Sequence, residues 1–533
     1  MHNLELLIAL LAVATAVAEL AERSRLPYPI LLMLVGTGLG LLPGGPRVEL
    51  APDLVFLLFL PPLLYAAAGS TSWPDFKAAR RPIGLLALGC VLFTTGLVAG
   101  VAHYLLPGFG WPAAFLLGAI VSPPDAVAAA AITQGLGLPR RVTAIIEGES
   151  LVNDATGLIA YRCAVAAVAT GHFVLWQASL QLVWAAAAGV GVGLAVGWLV
   201  LHVHRLTSSP VVGTSLTFLT PYLAYLAAEE LHVSAVLAVV TVGLFLGRQV
   251  TLGPQARLRS EAVWGATVFM LNCLVFMLMG LELPALLHGI APSLLWAVLG
   301  YGLLISLAVV VARLLWWYPS AYAPRWLSAD IQAAEPVPPL ALVSVVAWTG
   351  MRGVLSLAAA LALPLSLAPG RPFPHRDVIL LITFVVIFCT LVVQGLSLGP
   401  LIRWLGIRPN PQAGREEVHV RTQLALRILA YLDRPATANW VPAEVLQRMK
   451  ASYGLRLGLL RSWTTALKGR HAYDLREKPF TKSQLLQEEL IRFERGVLQE
   501  LQQKERTSEE VLRKLGNELD LEEVRLELDK GLF

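Results

Sequence analysis

The chain has 533 residues, 56% of them hydrophobic and only 14% charged, with 41 Lys+Arg against 36 Asp+Glu. Soluble domains carry about a quarter charged residues, so one soluble globule is excluded. The net charge of +5 is modest and its basic residues stand beside apolar runs, so no nucleic-acid partner is expected.

The first apolar run, near 3–20, has His2 and Glu5 where a secretory signal would be positively charged, and it reads as a membrane span. Further runs long enough to cross about 30 Å of hydrocarbon lie near 27–43, 52–68, 82–106, 112–137, 141–169, 174–203, 210–231, 233–247, 262–286, 292–318, 338–367 and 377–402. They predict an all-α polytopic membrane protein with thirteen transmembrane helices. Beyond them the composition changes. Residues 404–533 hold 22 of the 41 Lys+Arg and 19 of the 36 Asp+Glu. The domains are therefore read as a membrane domain, 1–403, and a helical tail, 404–533.

Alternate loops carry Arg23 and Arg25; Lys77, Arg80 and Arg81; Arg140 and Arg141; Arg205; Arg248, Arg257 and Arg259; Arg313 and Arg325; Arg403 and Arg408. The intervening loops carry only Arg47, Arg371 and Arg376. Fifteen against three places the tail in the cytoplasm and the N-terminus outside. Trp73, Trp111, Trp316, Trp317 and Trp404 are expected as interfacial anchors at span ends.

Two spans are interrupted by their own residues. The fifth contains Ser122-Pro123-Pro124-Asp125, where adjacent prolines remove two amide donors and force the helix to unwind. The twelfth contains Gly350-Met351-Arg352-Gly353, a buried arginine between glycines. If spans 1–6 and 8–13 are inverted halves, each break falls in the fifth member of its half. Matching interruptions of this kind mark transporter binding sites near the membrane midplane.

The sixth span carries Glu147, Glu149 and Asp154 in an otherwise apolar setting. A carboxylate at membrane depth costs several kcal/mol unless it has a partner, water or a proton. Glu147, Ser150 and Asp154 share one helical face, with Glu149 and Asn153 on the next. A carboxylate and a hydroxyl one turn apart suit a small hard cation that takes oxygen ligands, and unwound backbone at Pro123 and Pro124 offers carbonyls. Because burial disfavours the charged form, Asp154 would hold either a proton or a cation. The alternative is a structural polar cluster that packs two spans together. Asp125 is read either as a ligand or as the N-cap of the restarted half-helix. Glu147, two turns nearer the cytoplasm, is a candidate for an inner vestibule. Arg352 needs a buried anion, and Glu149 is its expected partner in a structural ion pair.

Other features read more plainly. The four cysteines lie in apolar segments without C-x-x-C spacing and are expected as free thiols. Gly189, Gly191, Gly193 and Gly197 follow no strand, so they predict close helix packing rather than a dinucleotide site. Gly148-Glu149-Ser150 lacks the preceding strand of a hydrolase elbow; no enzyme activity and no cofactor are expected. In the tail, residues 481–515 space apolar positions at three and four among mixed charges, predicting a helical hairpin or a short dimeric coiled coil.

Four segments carry a family resemblance: Leu60-Pro61-Pro62-Leu63-Leu64-Tyr65, Ser122-Pro123-Pro124-Asp125-Ala126-Val127-Ala128, Glu147-Gly148-Glu149-Ser150-Leu151-Val152-Asn153-Asp154, and Gly350-Met351-Arg352-Gly353-Val354-Leu355-Ser356-Leu357. With them the chain resembles a bacterial sodium/proton antiporter of the monovalent cation:proton antiporter-1 family, related to the eukaryotic sodium/hydrogen exchangers. The resemblance implies a homodimer in the bacterial inner membrane, with a six-helix core (spans near 52–169 and 292–402) moving like an elevator against a scaffold made of the remainder. It implies Na+ (or K+ or Li+) bound by Asp154 and Ser150 with help from the unwound fifth span. Asn153 before Asp154 implies electroneutral one-for-one exchange with H+, and Glu149–Arg352 would be the family's intramembrane ion pair. Two positions depart from the family pattern: Ala66 replaces a frequent acidic residue, and Pro124 a usual threonine. The rival reading is a gated cation channel using the same acidic site.

Overall fold

In a computed structural model, the described residues are 2–24, 26–42, 52–133, 138–170, 175–207, 209–249, 254–288, 290–334, 337–368, 371–407, 411–434, 442–466, 487, 489–497, 515 and 519–526. The chain divides into two compact units, Met1–Pro409 and Asn410–Phe533.

The first unit is almost wholly helical, as lipid demands when every backbone N–H and C=O must be satisfied within its own segment. It begins with α1 (His2–Ser24), α2 (Tyr28–Leu41) and α3 (Pro52–Ser70). Short helices α4 (Trp73–Ala78) and α5 (Arg80–Gly84) lead through a π-helical stretch, Leu85–Cys90, into α6 (Val91–Leu105). Next come α7 (Trp111–Val121), α8 (Ala126–Thr133), α9 (Arg140–Thr170), α10 (Leu175–Leu206), α11 (Pro210–Glu230), α12 (Ala235–Gln249), α13 (Pro254–Leu281) and the short α14 (Leu283–His288). The last part is α15 (Pro292–Leu327), α16 (Ala329–Ala334), α17 (Leu340–Trp348), α18 (Val354–Leu361) and a small hairpin of β1 (Ser366–Ala368) with β2 (Arg371–Pro372). After it, α19 (Arg376–Cys389) passes through a second π-helical stretch into α20 (Gly395–Trp404).

Each apolar run of the sequence thus falls on a helix or on a pair of helices. Among the described residues seven helices are long and apolar enough to cross a membrane, and others are shorter and equally apolar. The protein is a multi-pass membrane protein, mostly α-helical.

Two differences from expectation concern α15. The run ending near 318 continues to Leu327, giving 36 residues, or about 54 Å at 1.5 Å per residue. Trp316 and Trp317 therefore stand within the helix and not at its end. The Trp316 indole N–H donates to the Leu85 carbonyl (2.9 Å), and Trp317 is buried with its N–H on the Val343 carbonyl (2.9 Å). Arg313 likewise moves from a loop into the interior, where it is 2% exposed. The loop tally of basic residues becomes fourteen against three, with the same sign.

The glycine stripe of α10 packs as expected. A Cβ on Gly189 or Gly193 would lie 2.6 Å from the Ser234 carbonyl oxygen or 2.4 Å from that of Ala238, so α10 and α12 touch backbone to backbone. Gly191 faces open space. The four cysteines are free thiols, Cys90 and Cys273 buried, Cys163 and Cys389 half-buried.

In the second unit α21 (Pro411–Leu432) and α22 (Ala443–Ala466) pack through Val418, Ala425, Leu457 and Leu460. Lys450 reaches Asp433 at 2.6 Å. Most of 481–515 lies outside the described residues; within the remainder Arg495 pairs with Asp520 (2.6 Å) and with Glu523.

Candidate cation site

Both interruptions occur where the sequence places them, and they meet. The helix stops at Val121 and restarts at Ala126; its counterpart stops at Trp348 and restarts at Val354. The Asp125 amide donates to the Met351 carbonyl (2.7 Å), joining the two unwound strands. The Asp125 carboxylate accepts the Val354 amide at 3.1 Å and, more weakly, the Ala128 amide at 3.4 Å. One carboxylate therefore serves the N-termini of both half-helices, α18 and α8, where amides lack intrahelical partners and the helix dipole favours negative charge. The Arg352 amide donates to the Thr390 hydroxyl (3.0 Å), which anchors the second break to the π-helical stretch after α19.

Gly353 makes this crossing possible. A Cβ there would lie 1.7 Å from Asp125 Oδ2, relieved only by turning that carboxylate away from the Val354 amide or by separating the strands. Gly353→Ala is expected to cost more than the ~1–3 kcal/mol of ordinary overpacking. A thermal melt in detergent alongside an ion-flux assay checks this; wild-type stability and flux together would show that the crossing is dispensable.

The uninterrupted α9 runs beside the breaks. The Asn153 side chain is fully buried and its Nδ2 donates to the Pro124 carbonyl (3.1 Å), tying α9 to the unwound segment. A cavity of about 50 Å³ lies alongside, lined by Pro123, Pro124, Asp125, Ser150, Asp154 and Ser356, and closed by α3. That volume holds a few waters or one small ion with part of its shell. Asp154 is 8% exposed. Among the described residues no side chain or amide hydrogen-bonds its carboxylate.

Of the residues singled out in the sequence, the fold gathers Pro123, Pro124, Asp125, Ser150 and Asp154 around one cavity, with Asn153 holding the Pro124 carbonyl beside it. Glu147 is half-buried and not in the lining. It precedes Asp154 by seven residues, about 10 Å along the helix. Helix α3 presents Leu60, Leu63, Leu64 and Ala67 to the cavity; Ala66 is not among the lining residues.

The expected Glu149–Arg352 pair is not formed. Glu149 instead takes a two-pronged bond from Arg313 of α15, Nη1 to Oε1 at 2.6 Å and Nη2 to Oε2 at 2.7 Å, both side chains being 2% exposed. Arg313 Nη2 also donates to the Val346 carbonyl (3.2 Å). Gly350 leaves the room for this arginine, since a Cβ there would stand 2.3 Å from Arg313 Cδ. The physical reason is reach. Arg352 lies on the unwound strand with its amide fixed to Thr390, whereas α15 brings a guanidinium fork squarely onto Glu149. Arg352 is 1% exposed, and its Nε and Nη1 have no hydrogen-bond partner among the described residues.

Two residues of the candidate site and its surroundings have little or no signature in the sequence. Arg313 reads there as a loop charge. Ser356, in α18, is buried, lines the cavity, and has no hydrogen-bond partner for its hydroxyl among the described residues. Its only signal in the sequence is its place three residues after Gly353, on the first turn of the restarted helix.

At the other end of α9, Arg162 reaches Glu229 of α11 at 2.8 Å, with both side chains well exposed.

Comparison with known proteins agrees with this architecture. Residues 6–404 match the family model described as sodium/hydrogen exchanger, transmembrane. A sodium, potassium, lithium and rubidium/H(+) antiporter of Bacillus pumilus is 35% identical over 417 residues; the match covers 75% of this chain and 61% of that protein, so it spans less than two thirds of the relative's length. A Na(+)/H(+) antiporter of Aphanothece halophytica is 33% identical, with 84% of this chain and 83% of the relative covered. Among solved structures, the sodium proton antiporter MjNhaP1 from Methanocaldococcus jannaschii superposes with a TM-score of 0.56 at 19% identity, covering 76% of this chain and 99% of that one, a likeness of fold. With a family model spanning its whole membrane unit and the interrupted helices of that unit crossing at Asp125, the chain belongs to the sodium/hydrogen exchanger family.

Proposed function

We propose that the protein is a secondary antiporter that exchanges cytoplasmic Na+, or a related monovalent cation, for external H+. The observation that carries this reading is Asp154: a carboxylate 8% exposed, on the wall of a cavity of about 50 Å³, with no internal hydrogen bond among the described residues. Such a group is costly to leave charged and alone. A proton or a cation each removes that cost, and the two exclude one another. Ser150, one turn before Asp154, and Ser356, across the cavity, add hydroxyl oxygens; the unwound Pro123–Pro124 segment adds backbone carbonyls. A small hard cation accepts such an all-oxygen shell, with water completing it. Asn153 and Asp125 are positioning residues here, the first holding the Pro124 carbonyl and the second holding the two breaks together. Glu147 serves as an approach residue on the cytoplasmic side. Glu149 with Arg313 is the structural ion pair.

The same reading has thirteen spans in two inverted halves, a membrane domain over 1–403 and a cytoplasmic tail over 404–533, with the N-terminus outside. It has two copies of the chain in the bacterial inner membrane, and a core, spans near 52–169 and 292–402, moving as a body past a scaffold made of the remainder. Neutral Asp154, protonated or cation-loaded, permits that movement, and bare Asp154 resists it because of desolvation. One cation then replaces one proton. The cation range of the Bacillus pumilus relative makes K+ and Li+ the alternatives to test beside Na+.

The test is proton flux in proteoliposomes on addition of Na+, K+ or Li+. Proton movement opposite to the added cation, unaffected by membrane potential, is the expected result. Cation conductance without proton movement would replace the antiporter with a gated channel.

A further inference from the structure

A second, unassigned cavity of the membrane unit lies away from Asp154, where α5, α9, α15 and α17 converge. It has a volume of about 310 Å³. Three of its lining residues are arginines from three different elements: Arg81 of α5, Arg141 at the start of α9 and Arg325 near the end of α15. Its depth is apolar, with Leu85, Ile145, Leu342 and Val346 among the walls. Among the described residues the lining contains no acidic side chain.

We propose that this cavity binds an anionic phospholipid, its phosphate held between Arg81, Arg141 and Arg325 and its glycerol and first acyl methylenes packed into the apolar depth. Charge selects the headgroup. A guanidinium is planar and carries five N–H donors, so bonds within the protein still leave donors for phosphate, and arginine–phosphate pairs are among the stronger hydrogen bonds. Basic pockets between transmembrane helices, at the level of the headgroups, are where anionic lipids are recognised. The apolar depth selects a lipid over a free phosphate, which would satisfy the arginines and leave those walls against water. All three arginines belong to the ends of spans that the charge distribution directs to the cytoplasm, so the occupant comes from that leaflet. A lipid seated here braces α17 against α9 and α15. The effect reaches the buried ion pair, since the carbonyl of the lining residue Val346 is the one that accepts Arg313 Nη2 (3.2 Å).

The test uses the full chain, purified and stripped of lipid in a neutral detergent. Phosphatidylglycerol, phosphatidylcholine and glycerol 3-phosphate are added separately, with melting midpoint and lipid retention in native mass spectrometry as readouts. Phosphatidylglycerol is expected to raise the midpoint and to remain bound, while phosphatidylcholine does neither. The double variant Arg81→Gln/Arg141→Gln should weaken phosphatidylglycerol binding about tenfold or more, the loss of charge-assisted bonds, whereas Arg248→Gln, an exposed arginine on α12, should leave it unchanged. Should the double variant fold poorly, Arg141→Gln alone, whose side chain is exposed, should shift binding in the same direction. Equal binding of phosphatidylcholine, or undiminished phosphatidylglycerol binding in the arginine variants, would overturn the site. Stabilisation by glycerol 3-phosphate equal to that by phosphatidylglycerol would overturn the lipid in favour of a soluble anion. None of these readouts depends on ion exchange.

Discussion

Replacing Asp154 by asparagine is expected to bring sodium-driven proton movement down to the level of empty vesicles while the protein still folds. Asparagine matches the shape of the carboxylic acid but can neither give up a proton nor offer a formal charge to a cation. Asp154 makes no internal hydrogen bond among the described residues, so its replacement breaks no contact in the fold. A neutral amide in place of a buried carboxylate also lowers the desolvation cost of that position. The melting midpoint should therefore hold or rise. A loss of only ~3 kcal/mol of cation binding already corresponds to about a hundredfold in affinity. Flux measured in proteoliposomes together with a melt separates the two effects. Full exchange by the folded Asp154→Asn protein would remove this residue from the mechanism and the proposed chemistry with it.

The second large effect concerns Glu149. Glu149→Gln removes the anion from beside Arg313 and leaves two buried guanidinium groups, those of Arg313 and Arg352, without a carboxylate. Removing one partner of a buried pair costs ~3–5 kcal/mol, while replacing both by apolar groups of similar volume is often close to neutral. Glu149→Gln and Arg313→Met should each lower the melting midpoint sharply, and Glu149→Leu/Arg313→Met should recover most of the loss. Arg352→Met should be much milder than Arg313→Met, because its Nε and Nη1 hold no partner that would be stranded. The melts of these variants distinguish the two arginines. If Glu149→Leu were rescued by Arg352→Met and not by Arg313→Met, the pairing seen in the structure would be wrong.

These residues also show what a sequence can and cannot reveal. Helices are readable because apolar length is a physical requirement of the bilayer, and seven long helices meet it among the described residues. The breaks are readable because no helix carries Pro123-Pro124 without losing amide donors, yet the same dipeptide at Pro61-Pro62 leaves α3 continuous. The difference lies in the residue after the second proline. Asp125 can serve exposed amides, and Gly353, having no Cβ, lets the Val354 amide of the other break come close enough to use it. That second half of the cause is a contact between residues more than two hundred positions apart. Arg313 is misplaced by its sequence for a related reason. It stands five residues before the end of the apolar run near 318 and reads as an end charge, but the helix continues to Leu327 and α15 turns Arg313 inward onto Glu149. Ser356 carries little signal beyond its place after Gly353, since a serine inside an apolar helix commonly bonds a preceding carbonyl; the cavity singles it out.

The face that α3 turns toward Asp154 consists of Leu60, Leu63, Leu64 and Ala67. It offers hydrocarbon and no side-chain oxygen, so an ion held by Asp154 is chelated from one side and faced by grease on the other. On the proposed reading such a wall cannot compete with the carboxylate for the ion and supplies no proton relay of its own. With Ala67, the smallest of the four, at one end of that row, the wall has one shallow notch, and a larger side chain there would narrow the chamber directly.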